Sequence, residues 1–128
     1  INVAGTFTAG TKTFEINHPN PEKTKTHKLI HSTVESPTGG DNLYRWTVTT
    51  TNNTKTIDLP DYYRFLNRDD MVWVNPVRHF GKAYGTINKE QTKLIITSDI
   101  EGEYNVLLIG TRKDKDAVEA FKGVEVEK

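Results

Sequence analysis

The sequence contains no cysteine among its 128 residues. That excludes disulfide frameworks, thiolate zinc sites, iron–sulfur clusters and thiol catalysis. It has no excess charge of either sign, since 17 Lys and Arg stand against 17 Asp and Glu, so no global field draws it to nucleic acid or to an anionic membrane. No apolar run reaches the ~18 residues of a membrane-spanning helix, and no basic-then-apolar leader opens the chain. The chain is expected to be soluble. Gly-x-x-x-x-Gly-Lys and dinucleotide fingerprints are missing, which leaves nucleotide binding without support. No Gly-x-Ser-x-Gly elbow surrounds Ser32, Ser36 or Ser98, so hydrolase signals are absent too. Ala and Leu are sparse, which disfavours helix.

What is present points to β-structure. Thr47, Thr49, Thr50, Thr51, Thr54 and Thr56 fall within ten positions, and β-branched side chains suit a pleated surface. The length allows one domain with its own core. Residue 1 is Ile rather than Met, so the chain is expected to be a processed or excised C-terminal module.

Residues 1–10 read as an opening strand or linker. Phe14 and Ile16 alternate with polar neighbours up to His18-Pro19, and residues 28–35 give a second strand closed by Ser36-Pro37. The clearest period-two segment is 42–50: Tyr44, Trp46 and Val48 share one face, and Arg45, Thr47 and Thr49 the other. Asn52-Asn53 then predicts a β-hairpin with Lys55–Leu59. Tyr62, Phe65 and Leu66 fall at helical spacing and predict one turn that plugs the core, followed by a strand at 71–74 and a weaker one over 77–86. Thr92–Ser98 and Tyr104–Arg112 are apolar on both faces and predict a buried antiparallel pair. The charged tail 113–128 holds one further helical turn at 117–121. Residues 11–112 therefore predict an all-β antiparallel sandwich or jelly-roll-like domain.

Constellations with chemical potential are few. His31 and Glu35 have the i, i+4 spacing of helical zinc sites, but four residues along a strand separate side chains by about 13 Å. A structural role is expected for both. Asp69-Asp70 reads as a solvated turn rather than a calcium loop. The basic cluster Lys23, Lys25, His27 and Lys28 reads as a solvated face able to touch an anionic glycan. Asn52-Asn53-Thr54 fits the glycosylation acceptor pattern. Among the aromatics, Trp46, Trp73, Tyr62 and Tyr63 are candidate contacts for a ligand or partner, because flat rings stack on sugars. At strand spacing such rings also build cores.

Five runs, in order, carry a family resemblance: Thr13–Pro19, Leu29–Pro37, Asn42-Leu43-Tyr44 leading into Thr47-Val48-Thr49, Leu59–Tyr63 with Leu66-Asn67-Arg68, and Gly110–Asp114. Over about residues 12–116 the chain resembles a β domain found near the C-terminus of tail-fibre and spike-like proteins of tailed bacteriophages and of some bacterial surface proteins. The resemblance implies a non-enzymatic structural module of the virion, homotrimeric, contacting other fibre or tail proteins and able to meet a host surface glycan. It supplies no catalytic residue, metal or cofactor. It implies that His31 and Glu35 serve hydrogen bonds within or between subunits. The chain departs from the pattern at Trp73–Pro76 and in the tail. Two other readings stand beside it. One is a carbohydrate-binding module built on Trp46 or Trp73. The other is a self-cleaving intramolecular chaperone of a fibre, suggested by Ser98-Asp99, although the basic residues that normally follow that dipeptide are missing.

Overall fold

Period-two alternation organises the described residues into eight strands and two short helices: β1 (Thr13–Asn17), β2 (Lys28–Ser32), β3 (Asp41–Thr49), β4 (Thr54–Asp58), α1 (Tyr63–Leu66), β5 (Asn67–Pro76), β6 (Ala83–Ile87), β7 (Lys93–Ser98), β8 (Glu103–Arg112) and α2 (Lys115–Ala120). The computed structural model describes residues 2–128. Ile1, on which the expectation of a processed start rests, lies outside the described residues. The chain forms two units, one up to Ser36 and one from Pro37 onward, so the segment 11–112 expected as one sandwich spans both. Residues 2–12 contain no strand.

The first unit is a hairpin. β1 and β2 pair antiparallel, with Phe14 opposite His31 and Ile16 opposite Leu29. This places Phe14, Ile16, Leu29 and His31 on one face and Glu15, Lys28 and Ile30 on the other. The His31 ring lies 5.0 Å from that of Phe14, and Lys28 pairs with Glu15 at 3.1 Å. The connection contains a helical turn in which Thr24 and His27 donate backbone N–H groups to Asn20 and Lys23. Phe14 and Ile16 are both exposed.

The second unit is an all-β sandwich of two three-stranded sheets, ordered β3-β8-β5 and β4-β7-β6. Ile57 of β4, Leu94 and Ile96 of β7, and Val106 and Leu108 of β8 meet in one core, joined by Leu59 and Tyr63. Each such buried side chain contributes about 1.5–3 kcal/mol. Tyr44, Trp46, Val48, Val72 and Val74 close the core from the edges.

Three sequence expectations are corrected here. β7 and β8 do not pair; each is the central strand of a different sheet, which explains why both are apolar on two faces. Asn52-Asn53 does make a tight turn, with φ of 54° and 64° and a bridge between Thr51 and Thr54. The strands on either side of that turn nevertheless pair with β8 and β7 rather than with each other. Buried Thr50 secures the crossing: its hydroxyl accepts from Ser98 Oγ at 2.9 Å and its backbone N–H donates to the Gly102 carbonyl at 2.9 Å. In α1 it is Tyr63 that is buried, while Tyr62 and Phe65 face outward, because the Tyr63 hydroxyl finds a carboxylate partner inside.

The two sheets approach closely at Gly85, where an added Cβ would lie 2.6 Å from Val72 Cγ1. The tail is not detached. Asp114 caps α2 by accepting from Ala117 N–H at 3.4 Å, Arg112 grips the same carboxylate through Nε and Nη2 at 2.9 and 2.7 Å, and Ala117 is buried.

Two outcomes are expected. Gly85→Ala overpacks the sandwich and lowers stability by about 1–3 kcal/mol in denaturant unfolding; an unchanged midpoint refutes the close approach. Arg112 holds the Asp114 carboxyl below its ordinary 3.8. The capping contribution is therefore complete above about pH 3.8 and is lost as pH falls through the lower folded-state value. The protection of the Ala117 and Val118 amides, exchange taken relative to the intrinsic rate at each pH, is expected to fall only in that acidic window, and a loss of protection near neutrality contradicts it.

Candidate functional site

The outer face of the β3-β8-β5 sheet is open, and its side chains run in cross-strand rows. Alternation along β3 turns Tyr44, Trp46 and Val48 inward and Leu43, Arg45 and Thr47 outward. Register then aligns Leu43 with Ile109 and Met71, Arg45 with Leu107 and Trp73, and Thr47 with Asn105 and Asn75. The face grades from an apolar row through a mixed row to a polar one. A shallow groove of about 600 Å³ lies over the last two rows, bordered by Arg45, Trp73, Thr47, Asn75, Asn105 and Leu107.

The outward orientation of Trp73 depends on an irregularity in β5. Arg68 pairs with Thr111, yet Met71 pairs with Ile109. Two residues, Asp69 and Asp70, therefore stand where regular pairing needs one, and Asp69 takes φ of 54°. Such a bulge reverses the in–out phase of everything after it. Without it Trp73 would point into the core. The Asp69-Asp70 pair is thus a bulge within β5 rather than the solvated turn expected. Asp69 is exposed and bonded to Arg68, whereas Asp70 is half-buried and accepts from the Tyr63 hydroxyl and from Gln91 Nε2, the latter at 3.0 Å.

A buried polar network fixes the bulge. Asn67, fully buried, donates from Nδ2 to the Tyr44 hydroxyl at 3.1 Å and to the Tyr63 carbonyl at 3.2 Å, and accepts from Asn42 Nδ2 at 2.8 Å. Gln91 Nε2 also donates to the Asn67 carbonyl at 3.2 Å. Burial, reinforced by Asp70, pushes the Tyr63 phenol far above its ordinary value, and burial likewise raises Tyr44. Both remain neutral donors and acceptors around neutral pH, so this is a structural cluster rather than an acid–base pair.

The sequence-designated contacts are scattered. Trp73 lies in the groove, 48% exposed. Trp46 borders it from behind, with its ring on the core side, stacked 6.2 Å from Tyr44. Tyr63 is buried and Tyr62 exposed at the start of α1. His31 and Glu35 are exposed in the first unit, and Glu35 follows the end of β2 at Ser32. The Ser98 hydroxyl is committed to Thr50. His79 receives the Gly81 N–H at Nδ1 and donates from Nε2 to the Glu103 carbonyl, each at 3.0 Å, with its ring edge-on to Tyr104 at 4.9 Å. No three metal-ligating side chains converge among the described residues.

Arg45, Thr47, Asn75, Asn105 and Leu107 were not singled out from sequence. The signal for Arg45 and Thr47 was the same alternation that places Trp46 inside. The pairing that unites them with β5 is invisible in a linear chain. No family profile, curated protein or solved structure matches the chain.

Tyr63→Phe is expected to lower stability by about 1–3 kcal/mol by leaving the half-buried Asp70 carboxylate short of a donor. Thermal unfolding monitored by circular dichroism measures it, and a neutral effect contradicts the network.

Proposed function

We infer that the chain is a non-enzymatic structural module of a virion tail fibre or spike, assembling as a homotrimer through its first unit. One observation carries the reading: the β1–β2 hairpin presents Phe14, Ile16 and Leu29 on one face and, among the described residues, has no third strand. A lone two-stranded hairpin is marginal in water, and an uncovered apolar face marks a surface that another chain buries. The second unit needs no such help, because its two sheets share their own core.

The resemblance supports the same reading. Two of its five runs, Thr13–Pro19 and Leu29–Pro37, fall largely on this hairpin. They include His18, whose backbone N–H donates to the His27 carbonyl at 3.1 Å and closes the ladder. The trimeric state follows from the resemblance. His31, beside Phe14, stands on the face that neighbouring chains would cover.

Sedimentation equilibrium of the full chain at micromolar concentration is expected to give three times the single-chain mass. The double substitution Phe14→Ser, Ile16→Ser is expected to give a monomer whose second unit keeps its thermal transition. A monomeric parent chain overturns the proposal, and so does a double variant that remains trimeric.

A further inference from the structure

We propose that the groove between Arg45 and Trp73 binds an acidic saccharide, with Arg45 holding the sugar's carboxylate and Trp73 stacking on the ring. This site lies on the outer sheet and is independent of assembly through the hairpin.

The argument begins with charge. Arg45 is exposed and has no carboxylate within 4 Å among the described residues. Exposed Asp69, in the β5 bulge two strands across, is paired with Arg68; the other acidic residues facing the same side of the sheet lie four positions away along the strands: Asp41 on β3, and Glu103, which is opposite Thr49, on β8. That is about 13 Å at strand rise. The groove lining of Arg45, Thr47, Trp73, Asn75, Asn105 and Leu107 therefore carries a single positive charge. One fixed guanidinium matches one monoanionic group and is too little for a polyphosphate backbone, where several cations are needed. Its planar fork suits a carboxylate bidentately.

Geometry supplies the rest. Arg45 and Trp73 flank Leu107 across two inter-strand steps of about 4.8 Å each, a gap that one pyranose spans. The Trp73 ring offers a flat apolar surface for the C–H face of a sugar at small entropic cost. Half-buried Leu107 forms an apolar floor. The next row contributes hydroxyl-binding groups. Thr47 donates to Asn105 Oδ1 at 2.9 Å, which orients the Asn105 amide so that its N–H groups remain for a ligand. Asn75 donates to the Pro76 carbonyl at 3.3 Å, leaving its Oδ1 to accept. A stacked ring, an apolar floor, two amides and one unpaired cation answer a sugar acid better than they answer an apolar protein surface.

The test uses the full chain and two matched pairs of probes: trigalacturonate against its methyl ester, and 3′-sialyllactose against lactose. Binding is followed by tryptophan fluorescence and by amide chemical shifts. At least one acidic member is expected to bind, with shifts centred on Arg45, Trp73 and Asn105, and to weaken with added salt. Arg45→Gln is expected to reduce affinity for the acidic member by about tenfold or more, as loss of a charge-assisted pair requires. Arg45→Lys is expected to restore part of that affinity, and Trp73→Ala to abolish binding. Each of these side chains is exposed, and an unchanged thermal transition verifies folding. The proposal is overturned if neither acidic probe binds at millimolar concentration, if neutral partners bind equally well, or if Arg45→Gln leaves affinity unchanged. It is also overturned if acrylamide cannot reach Trp73 in the native assembly, since a second copy would then cover the face.

Discussion

The Asn67 side chain, buried where α1 runs into β5, joins two strands and a helix through one amide: it accepts from Asn42 and donates to the Tyr44 hydroxyl, both on β3, and to the Tyr63 carbonyl. A buried amide left short of partners costs more than a made bond returns, so a fully satisfied one admits few arrangements of the chain around it. Among the described residues no buried side-chain polar atom lacks a partner. The space for Asn67 exists because residue 110 is Gly, where a Cβ would stand 2.7 Å from Asn67 Oδ1. With β5 pinned at its first residue, the extra residue at Asp69-Asp70 has to be absorbed in the strand. The later residues of β5 then take the phase that sends Val72 and Val74 inward and Trp73 outward. A ligand-facing ring is thus placed by an amide several residues away.

The two units use apolar surface differently. In the sandwich, the central strands β7 and β8 bury Leu94, Ile96, Val106 and Leu108 against one another, and the edges add aromatic side chains. In the hairpin, Phe14 and Ile16 occupy one face of a two-stranded ladder and stay exposed. Stability in the first case is intramolecular; in the second, under the proposed assembly, it depends on concentration. A module divided in this way has a β3-β8-β5 sheet whose folding rests on its own core rather than on the assembly proposed for the hairpin.

Much of the fold could be read from alternation. The β3 pattern at Tyr44, Trp46 and Val48 was legible because one face is buried and the other wet, and the turn at Asn52-Asn53 because few residues tolerate positive φ at successive positions. Pairing was not legible. Two apolar runs such as Thr92–Ser98 and Tyr104–Arg112 look like partners when each is in fact the centre of its own sheet, and nothing local distinguishes the cases. Trp73 was recognisable as an aromatic in a strand, yet its facing hung on the bulge, which two adjacent aspartates disguised as a turn. Arg45 carries no signal of its own, because an isolated arginine on the wet face of a strand means little until its neighbours across the sheet are known.

The long separation between β3 and β8 sets an order of events during synthesis. Asp41 pairs with Thr111 and Asn42 with Gly110, so the middle strand of the β3-β8-β5 sheet is the last of its three strands to leave the ribosome. The hairpin can close after Ser32 emerges, because its partners are near neighbours in sequence. The sheet holding Arg45 and Trp73 can only assemble after β8 has been made, about 60 residues beyond β3, and such distant pairings fold slowly. The hairpin proposed for self-association is thus complete before the groove face can form, and under that proposal copies made close together on one message meet while their sandwiches are still incomplete.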